Sequence, residues 1–294
     1  MRFGGHETFA IRDGWLHKGL KLIDENPRAF NDPFVADALG VGRNMAKSIR
    51  HWLQVTGLMA LGKDDPSEPT VSDLGQLILS DDPYFVEIGT WWALHVHLVT
   101  QRDVAVVWPW FFNEFSHQRF DRSYCQEQLY RHLELNNPKQ PRPKTLTRDL
   151  ICMLGSYARQ VPDETGDPED STDCPFRDLG LLTHYRDTGH YEVRRESKEI
   201  PPEMIGFCLS RTFCDNGATS FSVSLRDAQA GYGGPVRVFA LSPKALVDTI
   251  QDAERLLGDE YISLTTLGGE RFIHAKNISP NEWLKNYYKR IAQS

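Results

Sequence analysis

The sequence predicts a mainly α fold with small β-hairpins: multiple winged-helix or helix-turn-helix units, followed by a mixed α+β C-terminal region. Three observations lead there. Residues 33–61 read as two short helices around Gly40-Val41-Gly42, the second amphipathic, followed by a short strand. Residues 120–159 repeat the helix-connection-helix pattern around a proline-rich basic link. Residues 261–273 carry a hairpin signal around Gly268-Gly269, directly after a helical stretch.

In chain order, residues 1–12 (MRFGGHETFAIR) set Gly4-Gly5 before His6, Glu7 and Thr8, between Phe3 and Phe9. Two readings stand. In one, the glycines make a turn and Glu7 pairs with a nearby arginine to pin the N-terminus. In the other, His6 and Glu7 line a site as general base and as acid or metal ligand. The helix expected at about Arg43 to Val55 puts Met45, Ile49, Trp52 and Leu53 on one stripe. Its other side carries Arg43, Asn44, Lys47, Ser48, Arg50, His51 and Gln54, with no acid, and is the expected nucleic-acid face. A two-stranded wing follows, Leu58 to Leu61 and Thr70-Val71, with an acidic tip at Asp64, Asp65 and Glu68 that argues against a phosphate grip. Ser72 or Asp73 then caps a helix.

The bulky run 82–114 predicts buried helices, and His95 and His97, two apart, point in different directions on a helix. In the second helix pair Ser123 is the expected first cap and Thr145 or Thr147 the second, with Leu135 facing inward. Lys139, Arg142, Lys144 and Arg148 lie in the most basic stretch of the chain, read either as a phosphate-contacting loop and helix start or as a solvated linker. Residues 161–173 are acidic and turn-rich, an expected surface loop. Beyond them, strands are expected around a turn at 187–189, a helix from Pro201-Pro202, a strand over Val236–Leu241, a helix from Ser242-Pro243, and the terminal helix from Ser279-Pro280. The expected domains are 1–82, 83–160 and 161–294, the last with a third winged-helix unit.

Composition bounds the function. The 294 residues carry a formal net charge of −7, so nucleic-acid contact has to come from local basic patches. The 5 cysteines are widely spaced without a CxxC pair, which suits free thiols in a reducing cytoplasm. No apolar run has the length of a membrane span and no signal peptide is visible. Walker A, Rossmann, HExxH and zinc-ligand spacings are absent, which argues against ATP-driven or sulfur-transfer chemistry within the chain. Glu196-Ser197-Lys198 with Asp187 upstream is a Glu-x-Lys match to a nuclease arrangement, a three-residue pattern common by chance.

The opening FGGHETF, the pair Gly14-Trp15 and LGVGRNM through Leu53 resemble a bacterial family carried as a domain of unknown function. Asp173-Cys174-Pro175, Leu179-Gly180-Leu181 and Val71–Gly75 extend the similarity over most of the chain. Members of that family occur with DNA phosphorothioation genes, and one named role is the nicking component of a single-strand phosphorothioation defence system. The resemblance implies DNA binding, metal-dependent (Mg²⁺) nicking of one strand, for which His6 and Glu7 are the candidate residues, and partners that include a cysteine desulfurase, a PAPS-reductase-like protein and an ATPase. The family carries no agreed catalytic motif to transfer. A non-catalytic adaptor or a transcription regulator is the alternative, and a homodimer, common among winged-helix proteins, has no assigned interface here.

Overall fold

The computed structural model describes residues 3–62, 65, 68–136, 142–162, 174–214 and 218–293. It is a mixed α+β fold dominated by helices. The N-terminal part runs α1 (Trp15–Glu25), α2 (Val35–Leu39), α3 (Arg43–Val55), β1 (Met59–Ala60), β2 (Thr70–Val71) and α4 (Asp73–Asp81). Gly40 ends α2 with φ 65°, a left-handed conformation that costs a glycine nothing. Ile49, Trp52 and Leu53 of α3 are fully buried. A Cβ on Gly19 of α1 would sit 2.6 Å from the Ile49 side chain, so that glycine lets the two helices approach closely. β1 and β2 pair antiparallel, Met59 opposite Val71. Ser72, not Asp73, caps α4: its Oγ accepts from Gly75 N at 3.0 Å. Of the expected acidic tip, Asp64 lies outside the described residues and Glu68 pairs with Arg28.

α5 (Ile88–Thr100) is buried on nearly every side, from Gly89 through Val96 and again at Leu98 and Val99. A helix apolar all round belongs in a core, and α6 (Val107–Asn113), rich in Trp and Phe, packs beside it. The start of α5 is fixed by Asp82, whose carboxylate accepts from Val86 N, Glu87 N and Thr90 Oγ1 at 2.8, 3.1 and 2.6 Å. The polar centre of α5 is His95. Its Nε2 donates to Val238 O and its Nδ1 accepts from Tyr157 Oη, both at 2.8 Å.

β3 (Arg119–Asp121), α7 (Arg122–Asn136), α8 (Pro143–Tyr157) and β4 (Ala158–Val161) follow. The expected caps differ. Asp121 rather than Ser123 caps α7, accepting from Tyr124 N at 2.8 Å. α8 opens on Pro143 after Arg142 rather than on Thr145 or Thr147, because proline's fixed φ suits a first helical position. Leu135 is 81% exposed, not inward. β5 (Leu182–Tyr185) and β6 (His190–Val193) complete a four-stranded sheet in the order β3-β6-β5-β4, with β4 parallel to β5 and the other pairs antiparallel. This sheet joins strands from both sides of the expected 160/161 boundary. The acidic stretch 163–173 lies outside the described residues.

The C-terminal part runs α9 (Pro202–Phe213), β7 (Ser220–Ser224), α10 (Leu225–Ala230), α11 (Pro235–Val238), α12 (Pro243–Leu257), β8 (Ile262–Leu267), β9 (Glu270–Lys276) and α13 (Pro280–Ile291). The strand expected at 236–241 is instead α11 and a turn: Pro235 starts the helix and Ala240 takes φ 47°. Gly268 and Gly269, φ 61° and 87°, make the β8–β9 turn. β7 pairs with β9, so the hairpin belongs to a three-stranded sheet in the order β7-β9-β8. α13 returns to the start of α5, where Tyr288 Oη meets Thr90 Oγ1 at 2.6 Å. The buried apolar residues of all these parts form one continuous cluster.

Burial pushes the His95 imidazole down to about 4. The unfolded chain therefore binds a proton that the folded chain does not between pH 6.5 and about 4, and stability falls as pH drops through that window. The contribution is about 3 kcal/mol at its fullest, at 1.36 kcal/mol per unit. Urea unfolding of wild type and His95→Gln at pH 7 and pH 4.5 checks this: the pH-dependent loss should be smaller in the variant.

Candidate nucleic-acid interface

The FGGHET segment is a tight turn. Gly4 and Gly5 take φ 77° and 91°, and a Cβ on Gly5 would lie 2.5 Å from His51 Nδ1. Glu7 and Thr8 follow in the left-handed region with φ 48° and 71°, uncommon for any side chain and an outlier for a β-branched one. Such residues persist only where their surroundings over-determine them. Here His6 N donates to Gly4 O at 2.9 Å, Phe9 N to His6 O at 2.8 Å, and Thr8 N to His6 Nδ1 at 3.0 Å. Phe9 O in turn accepts from Trp52 Nε1 of α3 at 3.0 Å.

The turn is clamped to α8 by Asp149. His6 Nε2 is 2.8 Å from Asp149 Oδ1, with the two side chains 2% and 3% exposed. Gly4 N donates to the same carboxylate at 3.0 and 3.2 Å. Because Nδ1 accepts from a backbone N–H, the proton sits on Nε2 and points at the carboxylate. Both ring nitrogens are then committed. As placed, His6 holds the turn in shape and has no lone pair left to take a substrate proton. The ion pair expected between Glu7 and an arginine is not formed among the described residues; the N-terminus is pinned by His6 instead.

This arrangement encloses a pocket of about 400 Å³ lined by Gly4 to Thr8, Asn44, Thr145, Arg148 and Asp149. It brings the first turn of α3 and that of α8 to one place. Arg43, Lys47 and Arg50 run along the outer side of α3, with Arg43 and Lys47 exposed and Arg50 half-buried. Arg142, Lys144 and Arg148 are exposed at the start of α8. None of these six pairs with a carboxylate among the described residues. Lys139 lies outside them. His51 belongs to the other side: it is 5% exposed and packed against Gly5, because the side of α3 that carries it faces the N-terminal turn. Ser48 is buried for the same reason.

The Glu-x-Lys match does not assemble a nuclease centre. Glu196 is engaged by Arg194 at 2.7 to 2.9 Å. Lys198 Nζ donates to the carbonyls of Arg194, Glu196 and Ala240 at 2.6, 3.1 and 2.9 Å, and burial pushes it down to about 8. Among the described residues no three His, Cys, Asp or Glu side chains are placed to share a metal ion. Asp149 is the residue of the candidate site that the sequence reading missed. Its one signal is that it is an acid inside the most basic stretch of the chain. No helix among the described residues is long and apolar enough to cross a membrane.

The family described as "Protein of unknown function (DUF4007)" matches residues 3–288, and the chain belongs to that family. No curated protein matches significantly. Two solved structures match over the whole fold. The "Magnesium ion-bound SspB crystal structure" has a TM-score of 0.85 at 25% identity, covering 99% of this chain and 89% of the other. The "SspB crystal structure" has a TM-score of 0.83 at the same identity and coverage. The chain is thus an SspB-like protein, as the FGGHETF resemblance implies.

His6→Ala and Asp149→Ala should each cost about 2–4 kcal/mol, because each leaves buried polar groups unpaired. The double variant should cost less than the sum, with a coupling of roughly 1–3 kcal/mol in urea unfolding. Additive losses would show that the two side chains do not act as one clamp.

Proposed function

We propose that this family member is the DNA-binding component of a bacterial DNA phosphorothioation system, docking DNA on the face shared by the FGGHET turn, α3 and α8. The observation that carries the reading is that one pocket brings together the starts of two basic segments far apart in sequence, α3 and α8, whose six cations pair with no carboxylate among the described residues. Backbone phosphates are the ligand that such a face suits. The order α1–α2–α3–β1–β2 is read as a winged helix with α3 as recognition helix, Arg43, Lys47 and Arg50 turned to DNA. Asn44 and Arg148 in the pocket, with Arg142 and Lys144 beside it, hold phosphate. The SspB likeness supports the phosphorothioation context. Within it the chain would work beside the cysteine desulfurase, the PAPS-reductase-like protein and the ATPase.

The magnesium-bound SspB structure raises the question of a divalent ion here. Mg²⁺ is usually held by one or two carboxylates together with waters and phosphate oxygens. At this pocket Asp149 is committed to Gly4 and His6, which leaves Glu7 as the single open carboxylate. Among the described residues the chain's groups do not build a metal cage, and as placed both ring nitrogens of His6 are engaged. The reading we favour is therefore DNA docking, and nicking stays open to the test below.

Fluorescence anisotropy of a short duplex across salt tests the reading. Arg43→Ala/Lys47→Ala/Arg50→Ala and Arg142→Ala/Lys144→Ala/Arg148→Ala should each weaken binding and lower the log–log salt slope by about 0.9 per lost contact. Absence of binding to duplex and to single strands at low salt overturns it. Supercoiled plasmid in Mg²⁺ should stay supercoiled; conversion to open circle that is lost in Glu7→Ala would replace docking by nicking.

A further inference from the structure

Two motifs of the sequence are left over by the DNA face: the pair Gly14-Trp15 and the turn Gly40-Val41-Gly42. They meet in a second cavity, a cleft of about 600 Å³ lined by Trp15, Gly40, Val41 and Gly42 together with Arg12, Asp37 and Met45. That volume is in the range of small-molecule sites. The start of α3 serves both cavities: Asn44 lines the FGGHET pocket, and Gly42 and Met45 line this one. Arg12 is the one cation in the lining of the cleft.

Arg12 is half-buried, with its guanidinium 5.7 Å from the Phe9 ring centroid and 5.5 Å from that of Trp15. Two aromatic rings hold the charge in place and consume none of its five N–H donors. Among the described residues no carboxylate takes those donors. Asp37 lines the same cleft, exposed, yet it forms no ion pair with Arg12. Opposite charges that share a cleft without meeting suit a ligand with an anion at one end and an N–H donor at the other. Trp15, Val41 and Met45 give its body an apolar wall. Gly42 adds an independent sign. Its φ of −69° is open to any residue, and a Cβ there would meet nothing within 4 Å. Neither the turn nor the packing asks for glycine at 42, and serine or threonine would cap α3 as well. The effect of the glycine is to keep a side chain out of the cleft.

We propose that this cleft takes one nucleotide, with its phosphate on Arg12 and an exocyclic amino group of its base on Asp37. A guanidinium fork matches a phosphate, and a carboxylate accepts from the amino group of cytosine. The choice of a nucleotide over other ligands of this polarity rests on the DNA-docking reading, because α3 lines both cavities. Two sources offer the same chemistry: a nucleotide turned out of the docked strand, or a free one.

The probe is dCMP, titrated at constant ionic strength into the full chain with isotope-labelled methionine methyl groups. The Met45 signal in NMR, assigned through Met45→Leu, reports the cleft. Met153 and Met204, fully buried and absent from its lining, report the fold. The Met45 signal should shift saturably with dCMP, more weakly with dTMP, which lacks the amino group, and not with inorganic phosphate or with tryptophan. Arg12→Gln and the cap-competent Gly42→Thr should each weaken dCMP binding roughly 10-fold or more while the Met153 and Met204 signals stay in place. Asp37→Ala should remove the preference for dCMP over dTMP. The shift should persist in Arg142→Ala/Lys144→Ala/Arg148→Ala, so it stands or falls apart from the DNA face. A Met45 signal that stays fixed up to about 10 mM dCMP, or that answers tryptophan equally, overturns the assignment. A duplex carrying 2-aminopurine separates the sources. A fluorescence rise on binding that is lost in Arg12→Gln assigns the cleft to the docked strand. A bound duplex without that rise assigns it to a free nucleotide.

Discussion

The contact between His6 and Asp149 joins residues 143 positions apart, and the candidate functional surface depends on it. Taking a carboxylate out of water is costly unless its lone pairs are filled, and here they are filled by an imidazole N–H and a backbone N–H. That satisfaction has a geometric consequence. Gly4 and His6 are held to one carboxylate, so the chain between and after them has to turn sharply, which explains two glycines at positive φ and the left-handed Glu7 and Thr8. Gly5 is needed twice over, since its backbone is left-handed and His51 leaves no room for a Cβ. The turn in turn sets the distance between the first turns of α3 and α8, and so decides whether their cations form one surface or two.

Behind that surface stands α5. Because it is buried on nearly every side, α5 has α6, α9, α11 and the last helix packed around it. Tyr287 reaches Glu87 at 2.9 Å and Tyr288 reaches Thr90, 200 and 198 positions apart in the chain. His95 extends the same logic inward by tying α5 to α8 through Tyr157 and to α11 through Val238. The His6 clamp is thus mounted on a helix, α8, that is itself fixed to the centre. A site carried by rigid elements can hold an ordered set of cations in a way that a free basic tail cannot.

Local chemistry was legible in the sequence where one or two residues decide it. Gly40, the Gly268-Gly269 turn, the proline-led starts of α9, α12 and α13, and the buried stripe of α3 all follow from φ restrictions and period. The stretch VRVFAL was misread because its β-branched residues suggest a strand, while Gly234-Pro235 before it imposes a helical start. His51 and Ser48 were misplaced for a different reason. A polar residue opposite the main apolar stripe looks exposed until a second, non-local element covers it, and the covering element is the N-terminal turn. The FGGHET segment was legible as a turn, but its partner was not. Glu7 was the nearer acid to weigh, and nothing local indicates that a buried aspartate on another helix would take the role.

Asp149 also settles an electrostatic question about the surface. A chain of net charge −7 repels polyanions at long range, so a DNA face has to be locally strong enough to win at short range. An exposed acid beside Arg148 would offset one of the cations that such a face relies on. Turning Asp149 inward, where His6 and Gly4 consume its hydrogen-bonding capacity, leaves Arg142, Lys144 and Arg148 unopposed on α8. The same bond that shapes the turn keeps the Asp149 oxygens engaged with Gly4 and His6 rather than with the cations of α8. Shape and hydrogen bonding at this pocket share a cause, which is why the clamp residue, although almost wholly buried, belongs to the candidate site as much as the arginines around it.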